Sequence, residues 1–156
     1  MADAPAITIR QARREDVGAI VRLLADDHLG GGREHVSDPP LPGYLEAFEK
    51  VRADPRNLLV VAQDGSGDVV GTLQMTFIPG LSNQGAELAL LEAVRIDARL
   101  RGLGLGEVMV AWAMDEASRR GYASMELLSH ASRTDAQRFY ERLGFARSHV
   151  GMKRAL

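Results

Sequence analysis

A chain of 156 residues, 46% hydrophobic and 26% charged, has the length and composition of one globular domain with its own core. A formal net charge of −2 offers no basic surface to nucleic acid or an anionic membrane. The absence of cysteine excludes disulfides, thiolate nucleophiles and thiolate metal sites, and with no signal-peptide run or bilayer-length apolar stretch the chain is expected to be cytoplasmic, a single domain over residues 1–156.

Ile7-Thr8-Ile9-Arg10-Gln11 alternates and is β-branched, which predicts a first strand. Glu15 and Asp16 open a helix ending near Asp26, with Val17, Ile20, Val21 and Leu24 on one face. The stretch from Asp27 to Leu41 is irregular, punctuated by Gly30-Gly31-Gly32 and Pro39-Pro40, and reads as a mobile functional loop. A second helix follows from Pro42 to Ala53, with Leu45, Phe48 and Val51 facing inward. Leu58 to Ala62, a turn at Asp64–Asp68, and Val69 to Ile78 form a hairpin. A turn from Pro79 to Gly85 leads to a long strand, about Glu87 to Ile96. After a glycine turn comes a helix through about Arg120, with Leu105, Met109, Trp112, Ala113 and Ala117 on its buried face. Met125 to Leu128 is a strand and Asp135 to Leu143 a helix, and Phe145–Arg147 with Met152–Ala155 supply closing strands. Hairpins first, then strand and helix in alternation, predict a mixed sheet of the α/β or α+β class.

The stretch from Val94 to Gly106 is strand, basic glycine turn and helix start. Glycines let the main chain approach a ligand, and a helix start offers unpaired N–H groups with the positive end of a dipole. Arg101 adds forked donors, so the turn suits an anion such as a phosphate. A dinucleotide fingerprint needs glycine where Glu107 or Met109 stands, and a P-loop needs a lysine that is absent between Lys50 and Lys153. What remains is Arg-x-x-Gly-x-Gly at Arg101, Gly104 and Gly106, a pattern that a plain strand-to-helix turn also satisfies.

A second motif follows, with Ala136, Phe139, Tyr140, Gly144 and Phe145 in "DAQRFYERLGF". With both motifs in this order, the chain resembles the GNAT-superfamily N-acetyltransferases over most of its length. The resemblance implies a mixed, mostly antiparallel sheet of about six or seven strands with about four helices, and splayed strands forming a cleft for acetyl-CoA. It implies that backbone N–H groups of Arg101, Gly102, Leu103, Gly104, Leu105 and Gly106 hold the CoA pyrophosphate. The main chain of Val94, Arg95 and Ile96 would pair with the pantetheine arm like an added strand. Many family members have an asparagine where this chain has Arg133; an arginine there either reaches the cofactor phosphates or points to solvent.

An acceptor amine with a pKa of about 10.4 must lose a proton before attack, at a cost of about 4–5 kcal/mol at pH 7. The departing thiolate benefits from a proton donor. Tyr140 occupies the position where the family commonly has a tyrosine near the CoA sulfur, and is the candidate acid; the competing reading is a core aromatic. Glu92 is the candidate base, since the resemblance places a catalytic glutamate in this strand. Alternation puts it in a row with Leu88, Leu90, Val94 and Ile96, where apolar neighbours would raise its pKa. A bulge turning it to solvent, or an ion pair, competes with that reading. His130 either relays a proton or binds substrate, or lies on the surface. Asp27, His35 and Tyr44, with Asp26 and Glu34, line one acceptor wall in the resemblance, where acids would suit a cationic amine. His28 and His35 lack a third ligand, so no metal is expected.

The expected activity is direct transfer from acetyl-CoA to the primary amine of a small molecule, such as an amino acid, polyamine or amino sugar. The alternatives are a protein N-terminal or lysine acetyltransferase, and a non-catalytic acyl-CoA sensor. No nucleic acid, membrane or metal is expected as a partner; a homodimer is left open.

Overall fold

The computed structural model describes residues 6–27, 29 and 31–156, so His28 and Gly30 lie outside the described residues. A five-stranded sheet runs in the order β1 (Thr8–Gln11), β2 (Asn57–Gln63), β3 (Val69–Ile78), β4 (Leu88–Ile96) and β5 (Ser124–Leu127). The first three pairings are antiparallel, as hairpins dictate, and β4–β5 is parallel because a helix carries the chain across. The helices are α1 (Val17–Ala25), α2 (Pro42–Ala53), α3 (Ser82–Gly85), α4 (Leu105–Arg119) and α5 (Thr134–Arg142). Among the described residues none of these is long and apolar enough to cross a membrane.

The sheet is covered on both faces. β2 shows why its sequence has no polar face: Leu58, Val60 and Ala62 pack under α4, while Leu59 and Val61 pack under α1 and α2. The α4 side is the larger core, with Leu73, Met75, Leu91, Leu105, Met109 and Val110 essentially inaccessible. On the other side Val17, Ile20, Val21 and Phe48 are buried. Pro42 opens α2 at the helix start, where a missing N–H costs nothing.

Two expectations of the count are corrected. The described residues form five strands, fewer than six or seven, because Phe145–Arg147 and Met152–Ala155 are not strands. Segments of three or four residues persist only with a ladder partner, and neither acquires one; Val150 and Met152 are left 89% and 94% exposed. Among the described residues there are five helices where about four were expected, the addition being α3, a single turn with Asn83 and Gln84 at positive φ.

Candidate active site

β4 carries the site because its two ends have different neighbours. Leu88–Leu91 pair with β3 on one side and with β5 on the other. β5 stops at Leu127, so from Glu92 to Ile96 the strand has lost its second neighbour and the sheet opens. In the same stretch Thr72 pairs with Arg95 and Gln74 with Glu92, which leaves Ala93 and Val94 opposite Leu73. This is a β-bulge, and Ala93 takes a positive φ of 52° to make it.

The extra residue inverts the alternation. Ala89 and Leu91 pack into the α4 core before the bulge, and Val94 and Ile96 pack into the same core after it. Glu92 is therefore not in a row with Val94 and Ile96, as uninterrupted alternation predicts; it is exposed to solvent and lacks the apolar surroundings expected of it. Beyond the bulge the Asp97 N–H donates to the Val70 carbonyl at 2.9 Å, which turns the polar groups of Val94 and Ile96 away from β3 and towards the open side. Arginines cover both carbonyls: Arg95 Nη1 donates to Val94 at 2.8 Å and Arg101 Nε to Ile96 at 3.1 Å.

The glycine turn is built by local hydrogen bonds. The Asp97 carboxylate accepts from the Arg99 guanidinium at 2.6 Å and from the Arg99 N–H at 2.9 Å. These bonds hold its pKa down to about 2, so it stays ionised and fixes the short 3-10 turn Ala98–Leu100. Gly104 then caps α4 at φ 81°, a conformation that a side chain would strain. The first bond reaching back is from the Val108 N–H to the Gly104 carbonyl at 3.1 Å, so the N–H groups ahead of it at the helix start have no intrahelical acceptor. Gly106 matters for space: a Cβ there would lie 3.3 Å from the Phe139 ring, so glycine lets α5 close against the start of α4. Arg101 does not reach over this turn. Its Nη2 donates to the Asp26 carbonyl at 2.7 Å and to the Asp26 carboxylate at 3.0 Å. An exposed ion pair of this kind is worth about 0.2–1 kcal/mol.

The neighbouring residue organises the open side of β4. Asp27 sits at the end of α1 with its side chain 8% exposed. Its carboxylate accepts from Arg95 Nη2 at 3.3 Å and from Arg133 Nη1 and Nη2 at 3.2 and 3.3 Å. Arg133 stands at the N-cap of α5, so it reaches across the opening that β5 leaves. Its guanidinium is therefore held by Asp27 and does not extend freely into solvent. Tyr140, on the next turns of α5, packs edge-on against Phe139 and Phe145 at 5.1 and 5.7 Å between centroids. Burial raises the pKa of its phenol above the usual value, while Arg133 and Arg95 pull it the other way.

Four residues from the sequence reading are thus brought together: Asp27, Arg95, Arg133 and Tyr140. The loop acids do not present an acidic wall, since Asp26 holds Arg101, Asp27 holds two arginines, and Glu34 accepts from the Tyr44 hydroxyl at 2.9 Å. The Tyr44 oxygen in turn accepts from the His35 N–H at 2.9 Å, leaving the His35 side chain exposed. His130 is also exposed, with its Nδ1 engaged by the Ser132 hydroxyl at 2.7 Å and the Ser132 N–H at 3.2 Å. Sequence reading missed the Arg95 side chain, which it used only for its main chain. The signal was a second charged residue, beside Glu92, in a mostly apolar strand, and its direction depends on the bulge.

Comparison with known proteins agrees with this geometry. The Acetyltransferase (GNAT) family profile matches residues 17–145. The chain is 36% identical over 154 residues to the aminoalkylphosphonate N-acetyltransferase of Salmonella typhimurium, covering 97% of this chain and 93% of that protein. It is 32% identical over 99 residues to the mycothiol acetyltransferase of Rhodococcus erythropolis, covering 64% of this chain and 33% of that protein. A crystal structure described as a transcriptional regulator from Bacillus halodurans C-125 superposes with a TM-score of 0.93 at 42% identity, covering 97% of this chain and all of that one. A splayed mixed sheet, a glycine-capped helix start beside the opening, the family match and the whole-length Salmonella relative together establish that this chain belongs to the GNAT family of acetyltransferases and is an acyltransferase enzyme.

Proposed function

We propose that this enzyme transfers an acetyl group from acetyl-CoA directly to the primary amine of a small molecule. The observation that carries the reading is the meeting of the glycine turn, the unpaired end of β4 and Tyr140 at one opening of the sheet. A small amine of the aminoalkylphosphonate type is the first acceptor to test, a choice supported by the whole-length relative of that name.

The residues fit the donor. The helix start supplies main-chain donors from Gly102 to Gly106 for a pyrophosphate, and Arg101 would join them by giving up its bonds to Ile96 and Asp26. The outward-facing polar groups of Val94 and Ile96 suit an extended arm, which would take the Ile96 carbonyl from Arg101. Acetyl-CoA, when bound, supplies an activated thioester carbonyl and a thiolate leaving group. Tyr140 keeps its proton at neutral pH and donates it to that sulfur as the amine attacks. Glu92 is the proposed base, working through solvent because its side chain is exposed.

Glu92→Gln is expected to lower kcat and flatten the rise of rate with pH, measured from pH 5 to 9; a profile matching the parent assigns the proton to bulk water. The function itself is tested by free-CoA release across a panel of small amines and lysine peptides. Release with small amines supports the reading. Release only with peptides moves the activity to proteins, and tight CoA binding without release for any amine makes the chain a sensor.

A further inference from the structure

The cluster around Asp27 is cationic, and its hydrogen bonds are incomplete. Two guanidiniums share this carboxylate at 3.2–3.3 Å, whereas charge-assisted pairs prefer about 2.7–2.9 Å. Arg10 and Asp16 in the same protein do reach 2.7 and 2.9 Å. Arg95 and Arg133 are largely buried, with side chains 16% and 24% exposed. Arg95 Nε is fully buried and has no hydrogen-bond partner among the described residues, a state that ordinarily costs free energy. The positive charge of Arg33, from the irregular loop, also bears on Arg95. Arg95 leaves β4 just past the bulge, Arg133 comes from the cap of α5, and Tyr140 is two turns further along that helix.

Resting on the acetyltransferase reading above, we propose that Arg95 and Arg133 seat an acidic head group of the acceptor, a phosphonate or carboxylate oxyanion, with the amine directed towards Tyr140. Asp27 holds the two guanidiniums on the open side of β4 when no acceptor is present. An oxyanion entering between them shortens the stretched contacts and offers the missing acceptor to Nε. The bidentate geometry of guanidinium with phosphonate or carboxylate supplies the discrimination against neutral amines. Arg133 is thereby assigned to the acceptor, and the family's asparagine position carries a specificity residue in this chain.

The test compares three acceptors of similar length: 2-aminoethylphosphonate, 3-aminopropanoate and propylamine. Each is assayed with the parent, Arg133→Met, Arg133→Lys and Arg95→Met, alongside calorimetric titration of acetyl-CoA and thermal melting of each variant. The parent should favour one or both acids over propylamine, and Arg133→Met should shrink that preference about ten- to hundredfold, the worth of a charged hydrogen bond. Arg133→Lys should recover part of it, and acetyl-CoA affinity should move less than about threefold. Which acid is preferred identifies the head group. Equal turnover of propylamine by the parent, an equal loss for all three acceptors, or an acetyl-CoA affinity that falls as far as the rate would overturn the assignment, the last by giving the arginines to the donor. If Arg95→Met does not fold, the Arg133 pair decides alone. If the parent acetylates none of the three, the acetyltransferase reading for such amines fails. The seat is then judged by whether methylphosphonate raises the melting temperature of the parent and not of Arg133→Met; no rise in either overturns it.

Discussion

Tyr140→Phe is expected to lower kcat by about two orders of magnitude, within the range that a positioned general acid contributes, while thermal stability changes little. The ring contacts with Phe139 and Phe145 involve no hydroxyl, so phenylalanine keeps the packing and removes only the proton. The pH dependence follows from the sign of the shift. A phenol donates only while protonated, and its ordinary pKa is about 10. Burial raises that of Tyr140 against the opposing pull of Arg133 and Arg95. The parent should therefore hold its rate through neutral pH, with any loss due to this group falling above about pH 10; the variant should lack that limb. Single-turnover kinetics with saturating acetyl-CoA read the chemical step directly. A rate within twofold of the parent at every pH would make Tyr140 a packing residue.

The second large effect concerns stability. Asp16→Asn is expected to cost about 3–5 kcal/mol, the usual result of leaving one partner of a buried ion pair alone, and to lower the melting temperature by roughly 10 °C in a chain of this size. Asp16 is 5% exposed and accepts three bonds: two from Arg10, at 2.7 and 2.9 Å, and one from the Arg13 N–H at 2.7 Å. These bonds tie β1 to the turn that starts α1, and the far end of α1 carries Asp26 and Asp27 into the site. Burial alone would raise the pKa of this carboxyl, but Arg10 and the Arg13 N–H outweigh it and hold the value below the ordinary one. A carboxyl depressed on folding stabilises the protein above its unfolded pKa of about 3.9 and loses that contribution as pH falls through the folded value. The gap between parent and variant in urea unfolding should thus be constant from pH 7 to about pH 5 and narrow below about pH 4. A gap that stays constant to pH 3 would show that the carboxylate charge is not what stabilises the turn.

Element order and type were legible because each long element repeats a pattern that its neighbours do not disturb. Pro42 to Ala53 is the helix that the sequence predicts, and Val69 to Ile78 the strand. The closing strands were misread for the opposite reason. A short segment with apolar residues after a glycine looks like a strand, but only a partner at the right register makes one, and β5 is four residues long with no neighbour beyond it. Glu92 was misplaced because alternation assumes two residues of advance per repeat, and one inserted residue at Ala93 reverses every direction after it. Arg95 was undervalued for the same reason: its direction depends on that inserted residue, and its partner Asp27 lies 68 residues earlier and is shared with Arg133 from another helix.

By itself the sequence determined the glycine turn: a glycine-rich strand-to-helix turn is a local structure, written in consecutive residues whose φ values and free N–H groups need no distant partner. Only the tertiary structure decided the arrangement of the charged side chains beside it. The end of α1, the far half of β4 and the start of α5 meet across the gap that a short β5 leaves, and their charges are set by each other. Two arginines drawn onto one buried aspartate turn what reads as an acidic wall into a cluster with more positive than negative side chains. Such a reversal depends on long-range Coulomb pairing and burial, neither of which has a period or a spacing along the chain.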